Sequence, residues 1–212
     1  MDYYHKYKKY KTKYNRLKIK PFYFIHSTTE YTNLIDILRS GIIYPGKNLP
    51  CEKRKLCGDE PSDYVFANIY FEDLANISHM WDYSLLLHPK VMNENGMVFN
   101  KGWHAGRDDQ SIIIKPDENR KSTADKFNEI RTFLKNPHSI PKIVQEAPGM
   151  MHHEVLFDHP IYLSNNLLAI ICNYCETNKK LDEIKGIIKD KTYYNVPIYV
   201  RNVPFPKLQD LL

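Results

Sequence analysis

The stretch FYFIHSTTEYTNLIDILRSGI (22–42) reads as a strand that turns into a helix through a short polar link. FYFIH (22–26) is aromatic and β-branched, the composition that suits a pleated, half-buried surface. Leu34, Ile37 and Leu38 then recur at helical spacing. Thr32 is the expected N-cap of that helix and Gly41 its left-handed stop.

Working outward from there, helices and strands keep mixing along the chain, which predicts an α+β domain. Strands are expected at YVFANIYF (64–71), YSLLLH (83–88), SIIIK (111–115), HEVLFDHPIYL (153–163, interrupted by Pro160) and VPIYV (196–200). LLAIICNYC (167–175) fits either a strand or a buried helix. Amphipathic helices are expected at 122–135, from Phe127, Ile130, Phe133 and Leu134, and at 181–190. Residues 44–63 read as a loop rich in Pro and Gly, and NENGMVFNKGWHAG as a Gly/Asn-rich excursion between strands.

A chain of 212 residues carries one well-packed core more comfortably than two. The expected organisation is an arm at 1–20 and a single domain at 21–212. In the arm, Tyr3, Tyr7, Tyr10, Tyr14 and Leu17 line one face of a predicted helix that Pro21 stops. The arm holds seven lysines and Arg16 against Asp2, a surplus of +7; the whole chain carries +5, so the remainder is near −2. Attraction to DNA or RNA therefore belongs to the arm, where Lys beside aromatic rings also suits packing on a protein surface. No apolar run approaches the roughly 18–20 residues that span a bilayer, and the Lys/Tyr-rich start lacks the pattern of a secretory signal. An intracellular setting, host cytoplasm or virion, is the expectation. The arm also resembles N-terminal helices of giant-virus proteins.

Three sets of residues can carry chemistry. His26 stands at a strand end with the hydroxyls of Ser27 and Thr28 behind it, a donor and acceptor group suited to a ribose. Glu154 stands just ahead of the apolar Val155-Leu156-Phe157, where a carboxylate can stabilise nearby positive charge. Tyr64, Phe66, Tyr70, Phe71 and Trp103 supply flat faces for a pyridinium ring. Each taken alone has a plain alternative: a structural histidine, a solvated edge glutamate, core aromatics.

Their order is more telling. Strand, His, hydroxyls, helix and Gly, then an aromatic strand, then a late Glu heading a strand, resembles the His–Tyr–Glu layout of ADP-ribosyltransferases. HSTTEYTNLIDILRSGI is similar to the first motif of the polymerase-type enzymes and of the DNA-targeting toxins. YVFANIYFEDL is loosely similar to their second motif, and HHEVLFDHPIYL to the strand headed by the catalytic glutamate. LLLHPKVM…GMVFNKGWHA is similar to the middle of the toxin-like group, so the resemblance spans about residues 22–172. Ser27 stands where polymerase-type members usually carry Gly, and the second motif lacks their glycines.

The resemblance implies a split mixed β-sheet core with short flanking helices, and NAD as a substrate. Glu154 would be the catalytic carboxylate and His26 the holder of the adenosine-side ribose. Ser27 and Thr28 would assist in binding, and Tyr64 or Tyr70 would clamp nicotinamide. ADP-ribose would pass to a macromolecular acceptor, nucleic acid among them, with no metal required.

Other readings stay open: a non-enzymatic virion or interaction protein, or a metal-dependent nuclease or hydrolase. The latter would draw ligands from His104, Asp108 and Asp109, or from His152, His153, Glu154, Asp158 and His159. Cys51, Cys57, Cys172 and Cys175 offer four thiolates, but the first pair is widely spaced for zinc. Unlinked thiols are the expectation. No phosphate-binding P-loop, GxGxxG, GxSxG or zincin motif occurs.

Overall fold

The computed structural model describes residues 19, 21–50, 63–72, 74, 82–101, 111–135, 154–175, 178–200 and 207–211. The predicted N-terminal helix lies outside the described residues, except that Ile19 packs against the core.

The elements in chain order are β1 (Phe22–Thr28), α1 (Tyr31–Ser40), β2 (Ile42–Ile43), a 3-10 turn (Gly46–Asn48), β3 (Val65–Phe71), β4 (Tyr83–Leu87) and α2 (Val91–Asn95). They continue with β5 (Met97–Phe99), β6 (Ile112–Ile114), α3 (Arg120–Lys135), β7 (Glu154–Phe157), β8 (Ile161–Tyr162) and α4 (Leu163–Asn166). The last are β9 (Leu167–Cys172), α5 (Asn178–Ile188), β10 (Ile198–Val200) and α6 (Leu208–Leu211). Eight strands form one sheet in the order β10-β9-β4-β1-β3-β7-β5-β6, and β2 with β8 forms a separate ribbon. Only the β10–β9 pair in the large sheet is parallel, so the sheet is mixed and the class is α+β.

Alternation sorts the side chains of β3: Val65, Ala67, Ile69 and Phe71 are buried, while Phe66, Asn68 and Tyr70 are half-buried on the other face. The buried face joins Phe22 and Phe24 of β1, Leu85 and Leu87 of β4, and Val155 and Phe157 of β7 in one core. Leu34, Ile35 and Leu38 of α1, Phe127, Ile130 and Leu134 of α3, and Ile184 and Ile188 of α5 close over it. The opposite face carries a smaller cluster around Tyr23, Ile25, Leu86 and Ile171, against which Leu211 of α6 packs.

The β1 ladders make the sheet open at one end. Pairing of β1 with β3 stops at Ile25↔Asn68. Yet β1 stays paired to β4 as far as Thr28↔Tyr83, and β3 to β7 as far as Val65↔Phe157. The sheet thus divides there into two four-stranded halves, as the split core expected from the sequence requires. Beneath the split, the Phe24 and Phe157 rings meet edge to face on the core side, with centroids 5.1 Å apart.

Several expectations need correction. Helix α1 starts at Tyr31, and its N-cap is Glu30, not Thr32. The hydroxyl that organises this entry is Thr28 Oγ1, which accepts from the Glu30 N–H at 3.2 Å and from Asn33 Nδ2 at 3.4 Å. Gly41 does stop the helix, with φ 74° and its N–H on the Ile37 carbonyl. The Gly/Asn-rich excursion after β4 holds elements that the sequence reading did not assign: α2 and β5, of which β5 pairs with both β6 and β7. A three-residue strand is too short for alternation to reveal it.

The described cysteines are not free thiols: Cys172 and Cys175 are paired as a disulfide, their Cα atoms 5.4 Å apart. The turn after β9 folds Cys175 back so that its N–H reaches the Cys172 carbonyl at 3.4 Å. Cys51 and Cys57 lie outside the described residues.

Gly96 sits between α2 and β5 at φ 61°, ψ −171°, a region essentially reserved for glycine. A Cβ there would stand 2.8 Å from the Ile114 carbonyl oxygen, which is backbone and cannot swing aside. Gly96→Ala is therefore expected to lower unfolding stability by about 1–3 kcal/mol, read from urea denaturation. An unchanged midpoint would contradict this account of the turn between α2 and β5.

Candidate functional site

His26 lies at the split. Continuing the β1–β3 register two residues past Ile25↔Asn68 would set Ser27 against Phe66. The ladder has ended, and the His26 imidazole meets that carbonyl instead, with Nδ1 2.7 Å from Phe66 O. A carbonyl only accepts, so Nδ1 carries the proton. Burial lowers the His26 pKa from its ordinary 6.5, against the raising effect of the Phe66 hydrogen bond. At neutral pH the ring is thus neutral, and Nε2 is left as an acceptor.

This makes stability pH-dependent. His26 and His88 are both held below 6.5, His88 by burial and then by the charge of Lys90. A depressed histidine pKa means that the unfolded chain takes up protons first on acidification. The contribution is therefore complete above pH 6.5 and is lost as pH falls through and below it. His26→Gln, which retains a donor for Phe66, is expected to flatten part of this slope. Denaturation at pH 7.5 and pH 5 checks it; equal acid sensitivity in both proteins would contradict it.

The neighbouring hydroxyls have definite partners. Ser27 Oγ lies 2.8 Å from Ser84 Oγ on β4, directly across the ladder, and Ser84 is fully buried. Thr28 is occupied in organising the start of α1.

Glu154 is the first residue of β7, half-buried, and directly opposite Asn68 on β3. Its own carbonyl accepts the Asn100 N–H at 2.9 Å, so the strand is held from the β5 side as well. Residues opposite each other in an antiparallel pair share a face. Ile25, Asn68 and Glu154 therefore project the same way. Phe66 and Tyr70 flank Asn68 on that face, within the diagonal reach of long side chains from Glu154. Ser27 shares the parity of Ile25, and Tyr64, half-buried just before β3, shares that of Phe66.

The site residues expected from sequence therefore divide. Ser27, Tyr64, Tyr70 and Glu154 belong to one face of the sheet, whereas alternation assigns His26 and Thr28 to the other. Two strand spacings, about 10 Å, separate the rows of His26 and Glu154. Of the aromatic set, Phe71 is core, packed on Phe22 and Phe127, and is not a ligand platform. The Tyr70 ring lies 4.7 Å from that of Tyr23, and burial followed by the charge of Glu72 raises its pKa. Trp103, His104, Asp108, Asp109, His152 and His153 lie outside the described residues, and Asp158 and His159 are exposed in the turn after β7. Among the described residues, no group of three His, Cys, Asp or Glu is arranged to hold a metal, and no helix is long and apolar enough to cross a membrane. Sequence reading passed over Asn68 and Ser84. Period-two alternation over 64–71 would have grouped Asn68 with the aromatics, but no sequence signal states that Glu154 is its partner.

The family described as "Family of unknown function (DUF5846)" matches residues 19–137, which include β1, the split and β3 through β6. The chain belongs to this family. It is 50% identical over 230 aligned positions to "Uncharacterized protein R11" of Acanthamoeba polyphaga mimivirus, covering all of this chain and 85% of that protein. Among solved structures it is similar to DarT of Thermus sp. 2.9. The DarT complex with carba-NAD+ matches at 15% identity and a TM-score of 0.47, covering 87% of this chain and 96% of that one. The DarT complex with ADP-ribosylated ssDNA matches at 14% identity and a TM-score of 0.48, covering 87% and 97%.

Proposed function

We propose that this DUF5846 member is an NAD-dependent ADP-ribosyltransferase that transfers ADP-ribose to a macromolecular acceptor, with nucleic acid the acceptor class that the basic arm favours. The observation that carries the reading is the split between β1 and β3, with the His26 imidazole set into it and Glu154 heading the next strand but one. The three sequence motifs that resemble ADP-ribosyltransferases supply β1, β3 and β7, the strands around that opening.

The residues fit such a substrate chemically. Neutral His26 offers Nε2 to a ribose hydroxyl, while its protonated Nδ1 is held on Phe66. The separation of about two strand spacings from His26 to Glu154 is comparable to that of two riboses joined by a pyrophosphate. Alternation directs the two side chains to opposite faces, so the ligand meets His26 where its ring fills the split and Glu154 on the face that carries Asn68. Tyr70 or Tyr64, on the Glu154 face, presents a ring to the nicotinamide. As nicotinamide leaves, positive charge grows on its ribose, and the fixed Glu154 carboxylate stabilises it. The acceptor attacks from the open side.

Calorimetric titration of NAD to millimolar concentration tests binding. The wild-type chain is expected to bind, and His26→Ala to bind more weakly because it deletes a contact made in the ground state. No heat of binding from wild type at millimolar NAD would overturn the proposal.

A further inference from the structure

The β3 residues on the Glu154 face are Phe66, Asn68 and Tyr70, all half-buried. Asn68 lies between two aromatic residues and directly opposite Glu154, with Cβ atoms of such a pair about 5 Å apart. It lies in the last β1–β3 pair before the sheet divides, Ile25↔Asn68, and so marks the inner end of the split. Asparagine is poorly suited to a strand interior flanked by Phe and Tyr, because its side chain adds little to the packing there. Among the described residues no hydrogen bond engages its carboxamide. Its counterparts elsewhere in the fold are engaged: Asn100 accepts from Ser111, and Asn166 donates to the Tyr162 carbonyl.

A carboxylate can only accept hydrogen bonds, whereas a carboxamide both donates and accepts. Two such groups on directly opposed residues, their Cβ atoms about 5 Å apart, can each take one of the vicinal hydroxyls of one ribose. The flanking rings cover the apolar faces of the sugar and its base. We infer that Asn68 is a substrate-contacting residue that binds the second hydroxyl of the ribose whose first hydroxyl is held by Glu154. This rests on the proposed transferase reading and adds to it a residue that sets selectivity for an intact diol.

The test uses the full chain, NAD, and an NAD analogue lacking one hydroxyl of the nicotinamide-side ribose, with the two monodeoxy forms assayed separately. Asn68→Ala is expected to lower kcat/KM for NAD about tenfold, the scale of one hydrogen bond. The same substitution is expected to have little further effect on the analogue that lacks the hydroxyl held by Asn68, because the contact is already gone. Asn68→Thr, which suits a strand and retains a hydroxyl, is expected to recover part of the loss and guards against a folding defect. A structural role alone predicts equal losses on NAD and on both analogues, and that result overturns the inference. So does wild-type kinetics in both Asn68 variants, while turnover by the wild-type chain would leave the transferase reading standing. Absence of both NAD binding and turnover in the wild-type chain overturns both.

Discussion

Glu154→Gln is expected to cut NAD turnover by roughly 10²–10³-fold, the scale of removing one preorganised electrostatic group. Glutamine keeps the length of the side chain and one accepting oxygen, and removes its charge. The backbone at this position is fixed on both sides, by the Asn68 pairing and by the Asn100 N–H at 2.9 Å. Asn100 is itself fully buried, and its Oδ1 accepts from Ser111 Oγ at 2.8 Å. The strand should therefore not shift when the charge is lost. Affinity for NAD is expected to change little, because the charge acts chiefly on the cation formed as nicotinamide leaves. Single-turnover nicotinamide release, beside calorimetry on the same preparation, separates the two effects. A variant as active as wild type removes Glu154 from the chemistry; one that loses binding and rate equally assigns it a ground-state role instead.

Phe157→Ala is expected to cost about 3–5 kcal/mol of unfolding stability, the range for a fully buried phenylalanine. Phe157 is fully buried at the end of β7 and pairs with Val65, where β3 is no longer joined to β1. Its ring meets that of Phe24 on β1 at 88°, so this contact links the two half-sheets below the point where their backbone pairing has stopped. Losing it removes buried apolar area and leaves a cavity under the split. Urea denaturation should show the midpoint falling with an unchanged slope. A loss below about 1 kcal/mol would mean that neighbouring core residues refill the space, and that the rings do not hold the halves together.

The parts of the fold that were legible in sequence are those with long, clean periodicity. Strands β1, β3 and β4 and helices α1 and α3 announce themselves through aromatic and β-branched runs or through apolar spacing. Strands β5 and β2, and the pairing of β2 with β8, escape because two or three residues do not display a period and their pairing depends on distant partners. The start of α1 was misplaced because the nearest hydroxyl in sequence, Thr32, is not the one that turns back; Thr28, in the strand, does so. The Cys172–Cys175 pair depends on how tightly the turn after β9 closes, which spacing alone leaves open.

The candidate site was legible as a set of residues and not as an arrangement. His26 and Glu154 were singled out by their positions at strand ends, but which face each occupies follows from registers between strands far apart in the chain. Those registers pair Glu154 with Asn68, put Tyr70 and Ser27 on the same face, and set His26 in the opening between the halves. Asn68 carried no signal of its own. Its place opposite the carboxylate is a product of long-range pairing.

The most direct measurement of the central claim is nicotinamide release from NAD labelled in its nicotinamide ring. The wild-type chain is incubated with single-stranded DNA, RNA or a protein mixture as acceptor. The account predicts release of labelled nicotinamide, with ADP-ribose recovered on one acceptor class, and loss of that release in Glu154→Gln. Labelled NAD recovered intact with every acceptor, from protein whose cooperative unfolding confirms that it is folded, would contradict it.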